Sequence, residues 1–576
     1  MIKVGGAVKI GKILVTSAWP YLNVTPHLGN IMHLLFADFY TRYCRMKGDN
    51  VVMVSGSDEH GTPIEVEAVR LGIQPKELTD KNHANVVELL NKWEITFDNY
   101  TRTESPVHKE FVRDHLKKIY ENGFITVKDT EMLYCEHCGR FLPDRFVEGK
   151  CPYCGNEGAR GDQCDACGRL LETTLLIDPY CVICHGKPAT KTTRHWYFDL
   201  SQFSQKLTDY ITNNKQLSNS TKNFSLNQIK EGLKPRAVTR DVSKAAEWGI
   251  KAPFPDAEGK TIYVWVEAVL GYVSATIEYF KNCGEPEKWK EYWFDKNVRS
   301  LYFIGKDNIP FHTIILPALL LASGKDYNLP WNVSATEFLQ FKNLKFSKSH
   351  RIGIWIDEAL ELFPADYWRF FLIATRPETK DSNFSWEIFI EKINADLNDT
   401  FGNFIHRTLT FINTKFDGTI PEPLALDEDA EKVLESVKEK VETIAKEIDE
   451  CKLQAAANTL MSISRIGNQY LNEKEPWNLI KKDKAKAAAI FYVAAQIVKT
   501  LAIVSAPFIP VAAEEIWKTL NFEGSVHEQK WAEILKPLPA DHKIAKPKPL
   551  FRKVEDNAKQ LDDKLEEVRK NLMKET

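Results

Sequence analysis

Eight of the chain's eleven cysteines stand in four CxxC pairs between Cys135 and Cys184, and nothing else in the sequence restricts the fold as strongly. Each CxxC turn can present two thiolates to one tetrahedral ion, so two turns close a four-thiolate structural site and eight ligands suffice for two Zn2+ ions. In a long chain with no secretory leader, clustered CxxC pairs favour metal sites over disulfides. Cys151-Cys154 and Cys164-Cys167 are nine residues apart, and Cys135-Cys138 and Cys181-Cys184 flank them at twelve and thirteen. Nested pairing is preferred, with Cys151, Cys154, Cys164 and Cys167 inside and Cys135, Cys138, Cys181 and Cys184 outside. Pairing of sequential neighbours is the alternative, and spacing alone does not decide between them. Four thiolates leave no open coordination position, which argues against catalytic zinc. His137, His185 and His195 are read as bystanders, and Cys44, Cys283 and Cys451 stand alone.

The cysteine module interrupts an α/β pattern. Residues 12–18 (KILVTSA) read as a buried strand, followed by Trp19-Pro20-Tyr21, Gly29 and an apolar helical stretch. Residues 51–55 (VVMVS) read as a second strand ending in Gly56-Ser57-Asp58-Glu59-His60-Gly61. Polar clusters past the carboxyl ends of parallel strands lie where open α/β sheets hold ligands. Strand-like runs resume at residues 261–266 (TIYVWV) and 300–304 (SLYFI). Beyond about residue 395 the pattern is helical, and its Glu- and Lys-rich runs are solvated faces. Residues 556–576 form a highly charged helical pattern expected to fray.

With 76 Lys and Arg against 79 Asp and Glu the formal charge is −3, which excludes indiscriminate binding of nucleic acid but not a local basic groove. No run reaches the ~18 to 20 consecutive apolar residues of a membrane span. Residues 501–513, with Pro507 and Pro510, read as a buried helix end. A cytosolic monomer without membrane contact is expected.

Two short motifs carry the chemistry. Pro26-His27-Leu28-Gly29-Asn30 sits where the first strand turns into the first helix, so an imidazole and an amide stand at a helix N-terminus, where unpaired N–H groups favour anions. Far downstream, Lys345-Phe346-Ser347-Lys348-Ser349 offers two lysines and two hydroxyls in one loop. Their order, the split sheet with its zinc-bearing insertion and the helical C-terminal third resemble a class I aminoacyl-tRNA synthetase, and more narrowly the methionyl-tRNA synthetases. Further motifs carry that likeness: Ala18-Trp19-Pro20-Tyr21, Asp58-Glu59-His60-Gly61-Thr62-Pro63, Phe141 to Phe146, Val264-Trp265 to Tyr272, Phe303-Ile304-Gly305-Lys306-Asp307 and Glu475-Pro476-Trp477. The resemblance runs from about residue 12 to 554.

It implies a split Rossmann-like catalytic domain at residues 1–125 and 241–340, with the double zinc-knuckle insertion at residues 126–240. A stem-contact region follows at 341–398 and a helical anticodon-binding domain at 399–576. It also implies activation of L-methionine by ATP with Mg2+, then transfer to the 3′ end of tRNA(Met), recognised through its CAU anticodon. His27, Gly29 and Asn30 are then expected at the ATP phosphates, Gly305 and Asp307 at the adenosine, and Lys345 and Lys348 at the departing pyrophosphate. An apolar, polarizable thioether calls for an aromatic pocket with an acid for the ammonium. The matching set is Ala18, Trp19, Tyr21, Trp265, Ala268, Tyr272 and His312, with Asp58 as the acid. Asn403, Arg407 and Trp477 are the expected anticodon contacts.

The chain departs from the family's familiar form in Asn30 for histidine, Phe346 for methionine, and Val269 and Leu316 at the pocket wall. Two rivals stand against this reading. One is a class I synthetase for another apolar amino acid, which calls for a larger editing insertion. The other is a catalytically silent RNA-binding relative, which has no chemical reason to retain His27, Asp58, Trp265, Asp307 and Lys348 together.

Overall fold

The computed structural model describes residues 11–575, apart from residues 143–145, 162–163, 165, 167–170, 172, 243–247, 347–351 and 424. Ile13, Leu14 and Val15 are fully buried, so both faces of their strand are covered, as in the middle of a parallel sheet. That strand, β1 (Lys12–Ser17), is followed by helix α1 (Leu28–Lys47), β2 (Asn50–Ser57), β3 (Asn99–Arg102), β4 (Arg299–Gly305) and β5 (Asn332–Thr336). The five strands form one parallel sheet in the order β5-β4-β1-β2-β3. The chain steps outward from β1 to β3 and later returns to β1's other side, so the order reverses between β1 and β4. In doubly wound sheets the carboxyl ends at such a reversal form the ligand crevice.

One expected strand is not part of this sheet. Of residues 261–266 only Thr261 and Ile262 are extended, in a short strand Lys260–Ile262 that pairs antiparallel with Thr239–Asp241 outside the parallel layer. The rest folds as the helical turn Val264–Ala268. The β-branched composition of TIYVWV is thus overridden by tertiary context.

Between β3 and β4, Ile125–Cys135 and Ala189–Phe198 form a long antiparallel arm, paired from Ile125↔Phe198 to Tyr134↔Ala189. At its far end a small sheet sets Val147–Lys150 between Ala159–Arg160 and Ile177–Cys181. Arg140 in this module reaches back to Glu65 at 3.1 Å, in the helix Thr62–Leu71 that follows β2.

The C-terminal part is built from α2 (Asn403–Lys415), α3 (Glu428–Asp449), α4 (Leu453–Lys474) and α5 (Lys484–Ser505). In α3 the buried Val437, Val441, Ile444 and Ile448 make one stripe, and its charges face solvent, as expected. By length and composition α5 is apolar enough to cross a bilayer, but 78% of its most apolar window is buried inside the molecule. Arg369, fully buried, ties this part to the sheet layer. It donates to Asp38 of α1 at 2.7 Å and to the carbonyls of Trp93, Glu94, Pro507 and Phe508.

The final helix, α6 (Ala558–Glu575), is continuous over its described length and packed against the rest of the molecule. Leu561 and Leu565, one turn apart, are buried, and α6 packs on Ile356–Leu362 and Trp386–Lys392. The high charge of its exposed face hides this narrow apolar stripe.

Candidate active site

His27 caps α1: it is extended (φ −102°, ψ 173°), and its backbone N–H donates to Asn30 Oδ1 at 3.3 Å. A Cβ on Gly29 would lie 3.1 Å from the His27 ring, so the glycine makes room for the imidazole itself. The chain beyond the KFSKS motif returns to this turn. Leu28 N–H donates to Ile354 O at 3.0 Å and Ile356 N–H to Pro26 O at 3.1 Å, with His27 bridged to Trp355. Phe346 lies on the His27 ring at 4.7 Å between centroids. The two motifs, over 300 residues apart in sequence, therefore meet at the carboxyl edge of β1. Lys345 is exposed and forms no ion pair among the described residues; Lys348 lies outside them.

Across the reversal, β4 ends in Gly305, where a Cβ would come within 2.7 Å of Asp307 Oδ1. Asp307 is exposed at the crevice. Lys306 is engaged elsewhere, bonded to Glu337 and Asp381 at 2.7 Å each.

The residues expected around the amino acid cluster beside this edge. Trp19 packs edge-to-face with Tyr272 at 6.3 Å and is tilted against His108 at 5.9 Å. Cβ atoms at Gly56 and Gly271 would meet its indole at 2.8 and 2.7 Å, so both glycines are required for the ring to lie there. Tyr272 Oη donates to His312 Nε2 at 2.7 Å, and His312 Nδ1–H donates to Asn308 O at 2.9 Å, which fixes the neutral tautomer. Burial drives the His312 pKa down to about 4, in keeping with an acceptor Nε2.

Asp58 is 6% exposed, and its Oδ1 has no partner among the described residues, nor has the buried Trp19 Nε1. Burial, and next the Glu267 carboxylate, push Asp58 well above the usual carboxylate range, which favours the neutral acid until a cation beside it favours the ionised form. Tyr21, bridged to Asp58, donates its hydroxyl to the carbonyl of His60. Ala18 directly follows β1 and is half-buried against the same core. Trp265 stands apart from these ring contacts: it is 49% exposed on the turn Val264–Ala268, which also holds Ala268, and packs against Phe311.

The sequence reading passed over the network that holds Asp58-Glu59-His60. His60 Nδ1 lies 3.0 Å from Glu267 and Nε2 lies 2.8 Å from Glu104. Burial would discharge this imidazole, but Glu267 and Glu104 outweigh it and raise its pKa to about 10. Glu59 takes an ion pair from Arg102 at 2.8 Å, and Trp248 Nε1 donates to Glu59 O at 2.8 Å. A glutamate inside the apolar run VWVEAV was the available signal for Glu267.

On the helical part, α2, α4 and the residues just before α2 line an open groove of about 580 Å3 that includes Asn403, Arg407, Arg465 and Asn472 together with the acidic Asp399 and Glu473. Arg407 lies 5.2 Å over the Trp477 ring, which is half-buried and stacked on Phe411. The three expected anticodon contacts thus gather in one place. A roomier cavity of about 780 Å3, between Ala365–Tyr367, Pro510–Thr519 and residues 545–554, contains no expected site residue.

The cysteines gather in the nested manner. Cys135, Cys138, Cys181 and Cys184 bring their sulfurs within 4.8 Å of one another, as do Cys151, Cys154 and Cys164; Cys167 lies outside the described residues. Backbone N–H groups of Cys138 and Gly186 donate to Cys135 and Cys184 sulfur at 3.4 Å each. Such bonds stabilise thiolate, and that from Gly186 leads in lowering Cys184 to about 6. A four-sulfur and a three-sulfur cluster of this kind can each bind zinc.

A family profile described as "tRNA synthetases class I (M)" matches residues 13–409, and one described as "Anticodon binding domain of methionyl tRNA ligase" matches residues 420–569. The chain belongs to the methionyl-tRNA synthetase family. Its relatives include the methionine–tRNA ligase of Thermofilum pendens, 50% identical over 560 residues, 97% of this chain and 98% of that one. That of Caldivirga maquilingensis is 51% identical over 558 residues, 96% and 94% of the two chains. The same fold occurs in the Mycobacterium tuberculosis methionyl-tRNA synthetase solved with methionyl-adenylate, at a TM-score of 0.78 and 23% identity, covering 94% of this chain and all of that one. The first family profile ends within α2, which carries Asn403 and Arg407, and the second contains Trp477, so the helical groove draws on both.

Proposed function

We propose that the chain activates L-methionine with ATP and transfers it to tRNA(Met). The observation that carries this reading is the meeting of the His27 turn with the Phe346 loop beside an aromatic pocket holding an unpartnered, buried Asp58 oxygen. Methionine's thioether packs against Trp19, Tyr272 and His312, its ammonium offsets Asp58, and its carboxylate points toward the α1 N-terminus. A carboxylate oxygen attacks the α-phosphorus of ATP; the bond to the bridging oxygen breaks, and pyrophosphate leaves with that electron pair. His27 and Asn30, with the first N–H groups of α1, hold the phosphates, and Lys345 and Lys348 offset the charge that develops on pyrophosphate. Gly29 and Gly305 keep the crevice open, and Asp307 accepts from the adenosine ribose. ATP enters as its Mg2+ complex. A ribose hydroxyl of the terminal adenosine then attacks the methionyl carbonyl carbon and AMP departs. Most of the acceleration comes from positioning and charge stabilisation, since the protein forms no covalent bond.

The anticodon is read at Asn403, Arg407 and Trp477, where an exposed base can stack and its edge can be hydrogen-bonded. The nested cysteine sets, completed by Cys167, hold two structural Zn2+ ions that fix the end of the arm. The catalytic domain is split around residues 126–240, with stem contact at 341–398 and anticodon binding at 399–576, and the enzyme works as a cytoplasmic monomer. The deciding experiment is ATP–pyrophosphate exchange with methionine, leucine, isoleucine and cysteine in parallel. Methionine should stimulate most strongly; a better response to another amino acid, or none to any, would overturn the reading.

A further inference from the structure

Helix α6 contacts both legs of the segment that carries Phe346. On the outgoing leg, Lys342 and Asn343 make a left-handed turn (φ 52° and 63°) between Leu339–Phe341 and Leu344–Lys345. Asp562 of α6 accepts from Lys342 Nζ at 2.6 Å and is itself fixed by Trp386 Nε1 at 2.9 Å. Arg569 lies seven residues further on, two turns along and on the same face. Its guanidinium donates to the carbonyl of Gly353 and to Glu358 Oε1 at 3.0 Å, and lies 5.6 Å over the Trp355 ring.

These contacts lead to the His27 turn without a gap. Glu358 in turn accepts from Trp355 N–H at 3.0 Å, closing the cap of Ile356–Leu362. The residues between, Ile354 to Ile356, are those bonded to Pro26 and Leu28. Gly353 has φ +133°, and a Cβ there would strike the Phe346 ring at 2.2 Å, so the return leg and Phe346 are packed directly on one another. The Arg569 and Glu358 side chains are only 10% and 8% exposed, which separates this pair from an ordinary surface ion pair.

We propose that Arg569 is a positioning residue for the ATP-phosphate side of the crevice: α6 buckles both legs, Arg569 on Gly353 and Glu358 and Asp562 on Lys342, and so holds Phe346 and Trp355 against His27. The inference rests on the assignment of His27 to the ATP phosphates. Neither Arg569 nor Asp562 touches substrate; each acts through the backbone it holds. A lysine at position 569 keeps the charge facing Glu358 but loses the planar fork that reaches Gly353 as well.

The test compares the full-length wild type with R569A, R569K and D562A. It measures kcat/KM for ATP and KM for methionine in pyrophosphate exchange, with thermal midpoints alongside. For R569A we expect kcat/KM for ATP to fall ~10- to 50-fold while KM for methionine stays within ~2-fold, as removal of uniform and transition-state interactions on one side requires. R569K should recover part of that loss. D562A should cost only ~2- to 3-fold, its pair being half exposed. An R569A value within 2-fold of wild type would overturn the proposal. So would a parallel loss toward ATP and methionine together with a lowered midpoint, the mark of a general structural role. If R569A does not fold, R569K decides by the same selectivity. Equilibrium dialysis of Mg·ATP without methionine repeats the comparison without turnover. A wild type that binds ATP yet exchanges with no amino acid would fail the functional reading and leave the role of Arg569 to be judged on binding.

Discussion

The two sides of the crevice are built by opposite means. On the proposed methionine side the groups are largely buried: Tyr272 is locked to His312 and His60 lies between Glu267 and Glu104, while Asp58 Oδ1, Trp19 Nε1 and His108 Nε2 have no partner among the described residues. On the phosphate side Lys345 and Asp307 are exposed, and His27 is held by ring contact with Phe346 and by backbone bridging to residues 354–356. A buried acid without a partner is kept neutral by its surroundings and ionises only beside a cation, which would favour an ammonium-bearing ligand. An exposed lysine next to the residue that packs on the α1 cap suits a highly charged anionic ligand. On the proposed assignment, recognition of the amino acid would be set by residues at the sheet edge, whereas handling of the phosphates would depend on segments brought in from elsewhere in the chain.

The contrast breaks most readily at Asp58. Truncating one partner of a buried charge pair costs ~2–5 kcal/mol, so D58N should lower kcat/KM for methionine by ~30-fold to a few thousand-fold. KM for ATP should hardly move. An equal rise in both KM values would show that the two sides are not independent. The next largest effect belongs to His27. H27A should lower kcat of exchange about 100-fold, as loss of one preorganised donor commonly does, with methionine binding by tryptophan fluorescence unchanged. Weakened methionine binding in H27A would sink the division of labour.

Much of this arrangement was legible in the residues, and the failures have physical causes. The nested cysteine pairing follows from an antiparallel arm that brings the two ends of the insertion together, which CxxC spacing hints at but cannot fix. Lys345 and His27 were both expected at the phosphates from their motifs, yet the packing of Phe346 on His27 joins segments over 300 residues apart, to which local periodicity is blind. Residues 261–266 failed as a sheet strand because β propensity reports a fit to a half-buried surface and not a backbone preference. The network around His60 was missed since a glutamate at position 267 looks solvent-facing until the helical turn Val264–Ala268 turns it inward. The charged end was read as loose because two leucines one turn apart, Leu561 and Leu565, are a faint signal among so many charges.

A third surface supplies the control for both sides. W477A should reduce tRNA charging ~5- to 150-fold, the span expected for losing ~1–3 kcal/mol of base stacking. Methionine-dependent exchange should remain near wild type, because the groove of Asn403 and Arg407 belongs to the helical part. Equal losses in the two assays would mean that Trp477, stacked on Phe411 and under Arg407, serves mainly to hold that part together.

The smallest effect sharpens the phosphate side most. Phe346 touches His27 only through its ring, and an aromatic pair is worth ~0.5–1.5 kcal/mol beyond its buried area. F346M keeps an apolar side chain of similar volume and removes the ring contact, so kcat/KM for ATP should fall ~2- to 10-fold with KM for methionine unchanged. G353A acts on the same contact from the other leg. Its Cβ would collide with Phe346 at a φ that side chains rarely adopt, so its loss should exceed that of F346M. In the F346M background the collision is relieved while the backbone strain remains, and the two substitutions should therefore cost less together than the sum of their separate losses. Strict additivity would show that Phe346 and Gly353 act separately, and that His27 is held by the backbone bridge alone.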